Sequence, residues 1–249
     1  MRLLFTIQYL GTRYSGWQTQ VNAPSVQQVI EQAMERAYGS PVSLQSAGRT
    51  DAGVHALAQQ AHADVPFEIP RRGLVLGLNN LLPPDIRIVD VKAVDDGFHA
   101  RFDAKTKTYR YSIWNAEVAD AFAAETHTHV GQPLEASWMH EAAQPMLGNH
   151  DFRAFTVAEP EVKSTVRTVM DLSVQREGRA IFITATADGF LRYQMRRMAG
   201  TLIEIGRGKL DSAALGRSLE PQFGIARWTA PAKGLTLMSV HYEWPEPRP

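Results

Sequence analysis

The chain has 249 residues, 44% of them apolar, with 26 basic side chains against 26 acidic ones and no cysteine. The absence of cysteine excludes disulfides, thiolate chemistry and cysteine-ligated zinc, and no apolar run approaches the ~20 residues that cross a bilayer. The balanced charge argues against a protein that grips nucleic acid through bulk positive charge, although a local basic face suffices to neutralise phosphates.

Met1 to Tyr9 alternates Phe5, Ile7 and Tyr9 with Thr6 and Gln8, the period of a strand. It lacks the apolar block and cleavage site of a signal peptide, so a cytoplasmic protein is the default expectation. Gly11 to Gln18 reads as a loop. Ser25 with Gln28 has the spacing of a capping box, apolar residues from Val26 to Ala37 follow at helical spacing, and Gly39 ends the run. Val42 to Gln45 reads as a short strand and Gln59 to Val65 as its return. Leu74 to Leu82 reads as a helix stopped by Pro83-Pro84. Ile86 to Val94 is a strand with a weak face pattern.

Ala47-Gly48-Arg49-Thr50-Asp51-Ala52-Gly53 lies between those first strands. It sets one carboxylate between two glycines with an arginine two residues upstream. A guanidinium keeps a nearby carboxylate ionised, and such a group serves as nucleophile or base. The same residues also make an ordinary polar turn, and local chemistry leaves both readings open.

The second half starts near Phe98 to Asp103. Lys105 to Trp114 reads as a strand, with Lys107, Tyr109, Tyr111 and Ile113 on one face. Tyr109 among Lys105, Lys107 and Arg110 suits stacking on a nucleobase beside phosphate; a half-buried sheet tyrosine fits equally. Leu134 to Leu147 reads as a helix, Thr165 to Gln175 and Ala180 to Ala187 as paired strands, Gln194 to Ile205 as a helix, and Leu235 to Tyr242 as a last strand. At helical spacing Arg192 and Arg196 share a face, with Arg197 about 100° round from Arg196; one arginine turned inward toward an acid and others meeting phosphate is one reading, an ordinary amphipathic helix the other. His127-Thr128-His129 and His150-Asp151 lack the further ligands of a metal site, and Gly206 to Leu210 lacks the spacing of a phosphate loop.

Strands outnumber helices and several are joined by short turns, which favours antiparallel pairing. The expected class is α+β: a mixed, mostly antiparallel sheet in two pseudo-symmetric halves, residues 1–103 with the Asp51 loop and 104–249 with the Tyr109 strand and the basic helix.

These residues resemble the tRNA pseudouridine synthases of the TruA type. The resemblance runs in order along nearly the whole chain: Tyr14-Ser15-Gly16-Trp17-Gln18, Gly48 to Ala56, Phe98-His99-Ala100-Arg101, Tyr109-Arg110-Tyr111, Phe190 to Gly200, and Gly234 to Tyr242. It implies two halves sharing the sheet around a central cleft. It implies isomerisation of uridine to pseudouridine in the anticodon stem-loop of tRNA (tRNA positions 38 to 40), by a homodimer, without metal or organic cofactor. Asp51 takes the place of the catalytic aspartate and Tyr109 that of the active-site tyrosine. Arg49 and Arg196 take the places of arginines near that aspartate; Gln194-Met195-Arg196 departs from the usual Met-Val-Arg, and Arg197 is an additional cation. The rival readings are an RNA-binding protein without catalysis, in which Asp51 has no work, and a glycosidase or lyase, which ordinarily needs a second carboxylate.

Overall fold

The computed structural model describes residues 1–21, 23–157, 163–220 and 228–244. Two compact units arise by contact: Met1–Lys105 joined by the chain from Leu237 onward, and Thr106–Thr236 between them.

In the first unit the strands are β1 (Arg2–Tyr9), β2 (Gln45–Ser46), β3 (His55–Asp64) and β4 (Ile86–Val94), with β10 (Leu235–Tyr242) arriving from the end of the chain. Their order is β4-β1-β3-β10, with β2 on β3. The pairs β1–β3 and β1–β4 are antiparallel. Sequence order groups β10 with the second half. Its Tyr242 instead packs against Leu4 and Ala100 and donates its hydroxyl to the Ala100 carbonyl at 2.7 Å, which ties the strand to the first unit.

Helix α1 (Val26–Tyr38) begins and ends where its sequence dictates. Ser25 is extended and its hydroxyl accepts the Gln28 N–H at 3.2 Å; Gly39 closes the helix at φ 70°. Removing that cap by Ser25→Ala leaves one N–H without its partner, so unfolding in urea should show a loss of about 1 kcal/mol; an unchanged midpoint would mean that water caps the helix equally well. The helix also explains a departure from the sequence reading. Glu31 accepts the Leu44 N–H at 2.8 Å and Gln27 donates to the Leu44 carbonyl at 3.1 Å. With its backbone groups taken by α1, Leu44 joins no ladder, and only Gln45 and Ser46 pair with β3.

The second helix, α2 (Arg71–Leu81), starts three residues before the expected Leu74. The weak face pattern of β4 also has a cause. Thr6 faces Asp90 whereas Ile7 faces Ile88, so Val89 is an extra residue in the ladder. The bulge resets the alternation, leaving Ile86, Ile88 and Val91 buried and Val89 exposed.

The second unit holds β5 (Ala104–Asn115), β6 (Thr128–Val130), β7 (Gly148–Asp151), β8 (Val166–Glu177) and β9 (Ala180–Ala187). The order is β5-β9-β8-β7. The pairs β5–β9, β8–β9 and β7–β8 are antiparallel, whereas β6 runs parallel to β5. The expected helix over 134–147 is shorter: α3 (Ala136–Ala143) gives way to a 3-10 turn at Gln144–Met146, where Pro145 has no N–H to continue an α-helix. Helix α4 (Gln194–Gly206) packs on α3 and on the short α5 (Ala214–Arg217). Mixed strand directions with few helices make the chain α+β, as its sequence suggests.

Candidate active site

Asp51 sits on the loop between β2 and β3, and the preceding part of the chain fixes that loop almost residue by residue. The Trp17 N–H donates to the Thr50 carbonyl at 3.1 Å, the Gly53 N–H to the Tyr14 carbonyl at 3.3 Å, and the Val54 N–H closes back on the Asp51 carbonyl at 3.1 Å. Thr50 is buried, and its hydroxyl lies 2.8 Å from that of Tyr9. On the other side, Gln59 donates to the Gly48 carbonyl at 2.8 Å. Tyr9 and Gln59 are both buried. Burial pushes the Tyr9 phenol up to about 12, with the hydroxyl of Thr50 and the side chain of Gln59 opposing the shift, so it remains a neutral hydroxyl at working pH.

Two glycines make this close approach possible. Gly16 has φ 95°, and a Cβ there would stand 2.6 Å from the Thr50 carbonyl oxygen. At Gly11 a Cβ would stand 2.0 Å from the Val54 carbonyl oxygen. The Gly11 N–H donates to Nδ1 of buried His55 at 2.9 Å, which makes that ring nitrogen an acceptor. Asp85 buttresses the same segment: it accepts Nη2 of Arg13 at 2.6 Å and the Tyr14 hydroxyl at 2.9 Å. Burial, with the Asp85 carboxylate second, raises the Tyr14 phenol to about 12. Arg49 is exposed, and its Nε donates to the Gln18 side chain at 3.2 Å.

Tyr109 and Arg196 belong to the second unit. Tyr109, on β5, is 8% exposed and meets Phe190 edge to face, ring centres 5.1 Å apart. The amphipathic reading of α4 does not hold, because every residue from Gln194 to Gly206 is buried except Arg196. Small residues permit this. A Cβ on Gly200 would lie 2.3 Å from the Trp228 carbonyl oxygen, and one on Gly206 would lie 2.7 Å from the Met139 sulfur. The inward-turned arginine is Arg197, and its partner is a backbone group rather than an acid: Nη1 donates to the Thr156 carbonyl at 2.5 Å. Burial lowers the Arg197 pKa, opposed by Tyr193. Arg196 is anchored at Nε, which donates to the Ala230 carbonyl at 2.9 Å.

Tyr193 caps α4 with φ 64°, a left-handed conformation that costs an L residue about 1–3 kcal/mol. Sequence reasoning passed over this tyrosine, and also over Tyr9, Gln59 and Gly11. Positive φ at a tyrosine has no sequence signature, Tyr9 and Gly11 act on groups more than 40 residues away, and Gln59 reaches a backbone carbonyl 11 residues back.

The three histidines of the His127-Thr128-His129 and His150-Asp151 pairs have ordinary partners. His129 Nε2 lies 2.8 Å from the Ala116 carbonyl, His127 Nδ1 lies 3.0 Å from the Thr126 hydroxyl, and His150 Nε2 lies 2.7 Å from the Leu147 carbonyl.

A family model described as tRNA pseudouridine synthase matches residues 6–103 and 142–243. The chain belongs to the tRNA pseudouridine synthase family. The matched stretches of that family take in Asp51, Arg49 and Arg196, while Tyr109 lies outside them. Whole-chain relatives span it. A protein of Myxococcus xanthus called tRNA pseudouridine synthase A is 42% identical over 243 residues, covering 97% of this chain and 92% of its own. Proteins of the same name from Brevibacillus brevis and Photorhabdus laumondii are 43% and 40% identical, each over 97% of this chain and over 99% and 92% of their own. Among the described residues no helix is long and apolar enough to cross a membrane.

Proposed function

We propose that the chain isomerises uridine to pseudouridine in the anticodon stem-loop of tRNA, with Asp51 as the catalytic carboxylate. Family membership supplies the reaction class, an isomerase acting on uridine in tRNA. The observation that supports the residue assignment is the Asp51 loop. Its flanking peptide groups are bonded to Tyr14 and Trp17, and Thr50 lies against Tyr9. A carboxylate carried on backbone so fully tied keeps a fixed position while substrate bonds change.

The reaction is balanced within one nucleotide. The bond from C1′ to N1 of uracil breaks, the base turns, and a bond from C1′ to C5 forms. The C5 hydrogen leaves as a proton and N1 gains one. Ionised Asp51 serves this as a nucleophile at the sugar or by stabilising positive charge there. Arg49 and Arg196 act as substrate-binding cations. Tyr109 stacks on the extruded base, which returns part of the unstacking cost, roughly 1–3 kcal/mol per base. The first half carries the catalytic loop and the second half the stacking tyrosine and the arginine helix. The active species is a cytoplasmic homodimer, and phosphate contacts make its tRNA affinity fall steeply with salt.

Tyr109→Phe keeps the ring and loses the hydroxyl, so tRNA binding stays and turnover slows by about 10²-fold if the hydroxyl moves a proton. Tyr109→Ala also weakens binding of the extruded base. Single-turnover rates beside filter-binding affinities separate the two, and a Phe variant as fast as the parent confines Tyr109 to stacking. The function itself is tested by digesting tRNA after incubation with purified protein. Pseudouridine should replace uridine; tRNA of unchanged nucleoside content overturns the reading.

A further inference from the structure

Tyr193 is the one non-glycine residue with positive φ among the described residues, and nothing in the start of α4 requires a tyrosine there. Its side chain makes no capping hydrogen bond, and a glycine or asparagine adopts the same backbone more readily. What its conformation does achieve is to put an aromatic face among three guanidinium groups. The Cζ atoms of Arg192, Arg196 and Arg197 lie 4.9, 5.2 and 5.8 Å from the ring centre, within the range in which a cation is attracted to a π face. Arg192 also donates to the Tyr193 hydroxyl at 3.3 Å.

The three arginines differ in what they are able to do. Arg197 is buried and bonded to Thr156. Arg192 is exposed. Arg196 alone on α4 is partly exposed, and its Nε is held by the Ala230 carbonyl. The Tyr193 ring lies beside that guanidinium, and backbone strain persists in folded proteins where the surroundings hold it for a purpose.

We propose that Tyr193 is a positioning residue for the reaction: its left-handed backbone sets the ring against Arg196 and holds that guanidinium ready for the substrate. This rests on the reading of Arg196 as a substrate-site arginine. One stretch, Phe190 to Arg196, then supports both second-unit site residues, with Phe190 against Tyr109 and Tyr193 against Arg196.

The test compares Tyr193→Gly, Tyr193→Asn and Tyr193→Phe with the parent by thermal unfolding and by pseudouridine formation at saturating tRNA, at a temperature where all are folded. Glycine and asparagine relieve the backbone while removing the ring. Both variants should turn over at least tenfold more slowly, and Tyr193→Phe should recover most of the rate. Tyr193→Gly combined with Arg196→Ala should be no slower than Arg196→Ala alone. A glycine variant as fast as the parent overturns the proposal, as does a double variant slower by the product of the two single losses. A rate loss that vanishes on cooling, in step with a lowered melting temperature, also overturns it, because the ring then only supports the fold. A parent that forms no pseudouridine refutes the proposed function itself, whatever the Tyr193 variants do.

Discussion

Asp51→Asn should bind tRNA as tightly as the parent, or slightly more so, and form pseudouridine at least about 10³-fold more slowly. Asparagine has the volume and hydrogen-bonding reach of aspartate, and the loop it stands on is held by other groups: the Thr50 and Tyr14 carbonyls, the Gly48 carbonyl and the Thr50 hydroxyl. The substitution therefore removes the charge and leaves the scaffold. A negative charge near an RNA backbone opposes binding, so affinity has no reason to fall. The pair of measurements is a single-turnover rate and a binding isotherm on the same tRNA. Substantial turnover by the Asn variant would contradict the assignment of Asp51 as the catalytic group, and lost binding would point to a structural carboxylate.

The second large effect is expected at a residue with no reactive group. Gly16→Ala should slow turnover by roughly 10²-fold, because displacing a reacting group by about 1 Å costs that much. The new Cβ would lie 2.6 Å from the Thr50 carbonyl oxygen and 3.2 Å from the Ala52 nitrogen. Both are backbone atoms flanking Asp51, so relief of the clash has to move the loop. The positive φ of 95° adds a strain of about 1–3 kcal/mol. Gly39→Ala is the matched control. It too has positive φ, at 70°, but a Cβ there meets nothing within 4 Å. It should lower stability by about 1–2 kcal/mol and leave turnover at the parent's rate. If the two alanine variants lose equal stability and neither loses rate, the loop tolerates displacement and its hydrogen bonds do not position Asp51.

Local signals were legible in the sequence where one segment decides its own structure. Helix α1 carries its cap, its period and its terminating glycine within fifteen residues, and its ends fall where those residues put them. Strand β4 was legible in extent but not in face, because a bulge at Val89 depends on the partner strand. Val42 to Leu44 pointed to a strand, yet Gln27 and Glu31 on α1 capture the Leu44 backbone first. The same division applies to the site. The Gly48 to Gly53 loop marks itself by composition. The clearance at Gly11 and Gly16, and the Tyr9–Thr50 contact, join segments that only folding brings together. The choice between Arg196 and Arg197 was equally closed to periodicity, since α4 is buried on nearly all sides and a helical wheel presumes one wet face.

The most direct measurement uses tRNA tritiated at C5 of its uridines, incubated with the purified chain and analysed for released tritium, free uracil and intact RNA. Making a bond from C1′ to C5 expels the C5 hydrogen, so tritium should enter water in step with pseudouridine formation while the RNA keeps its base and mass of heavy atoms. Free uracil that retains its tritium would mean a glycosidase or lyase. Bound tRNA that keeps all of its label would mean an RNA-binding protein in which Asp51 performs no chemistry.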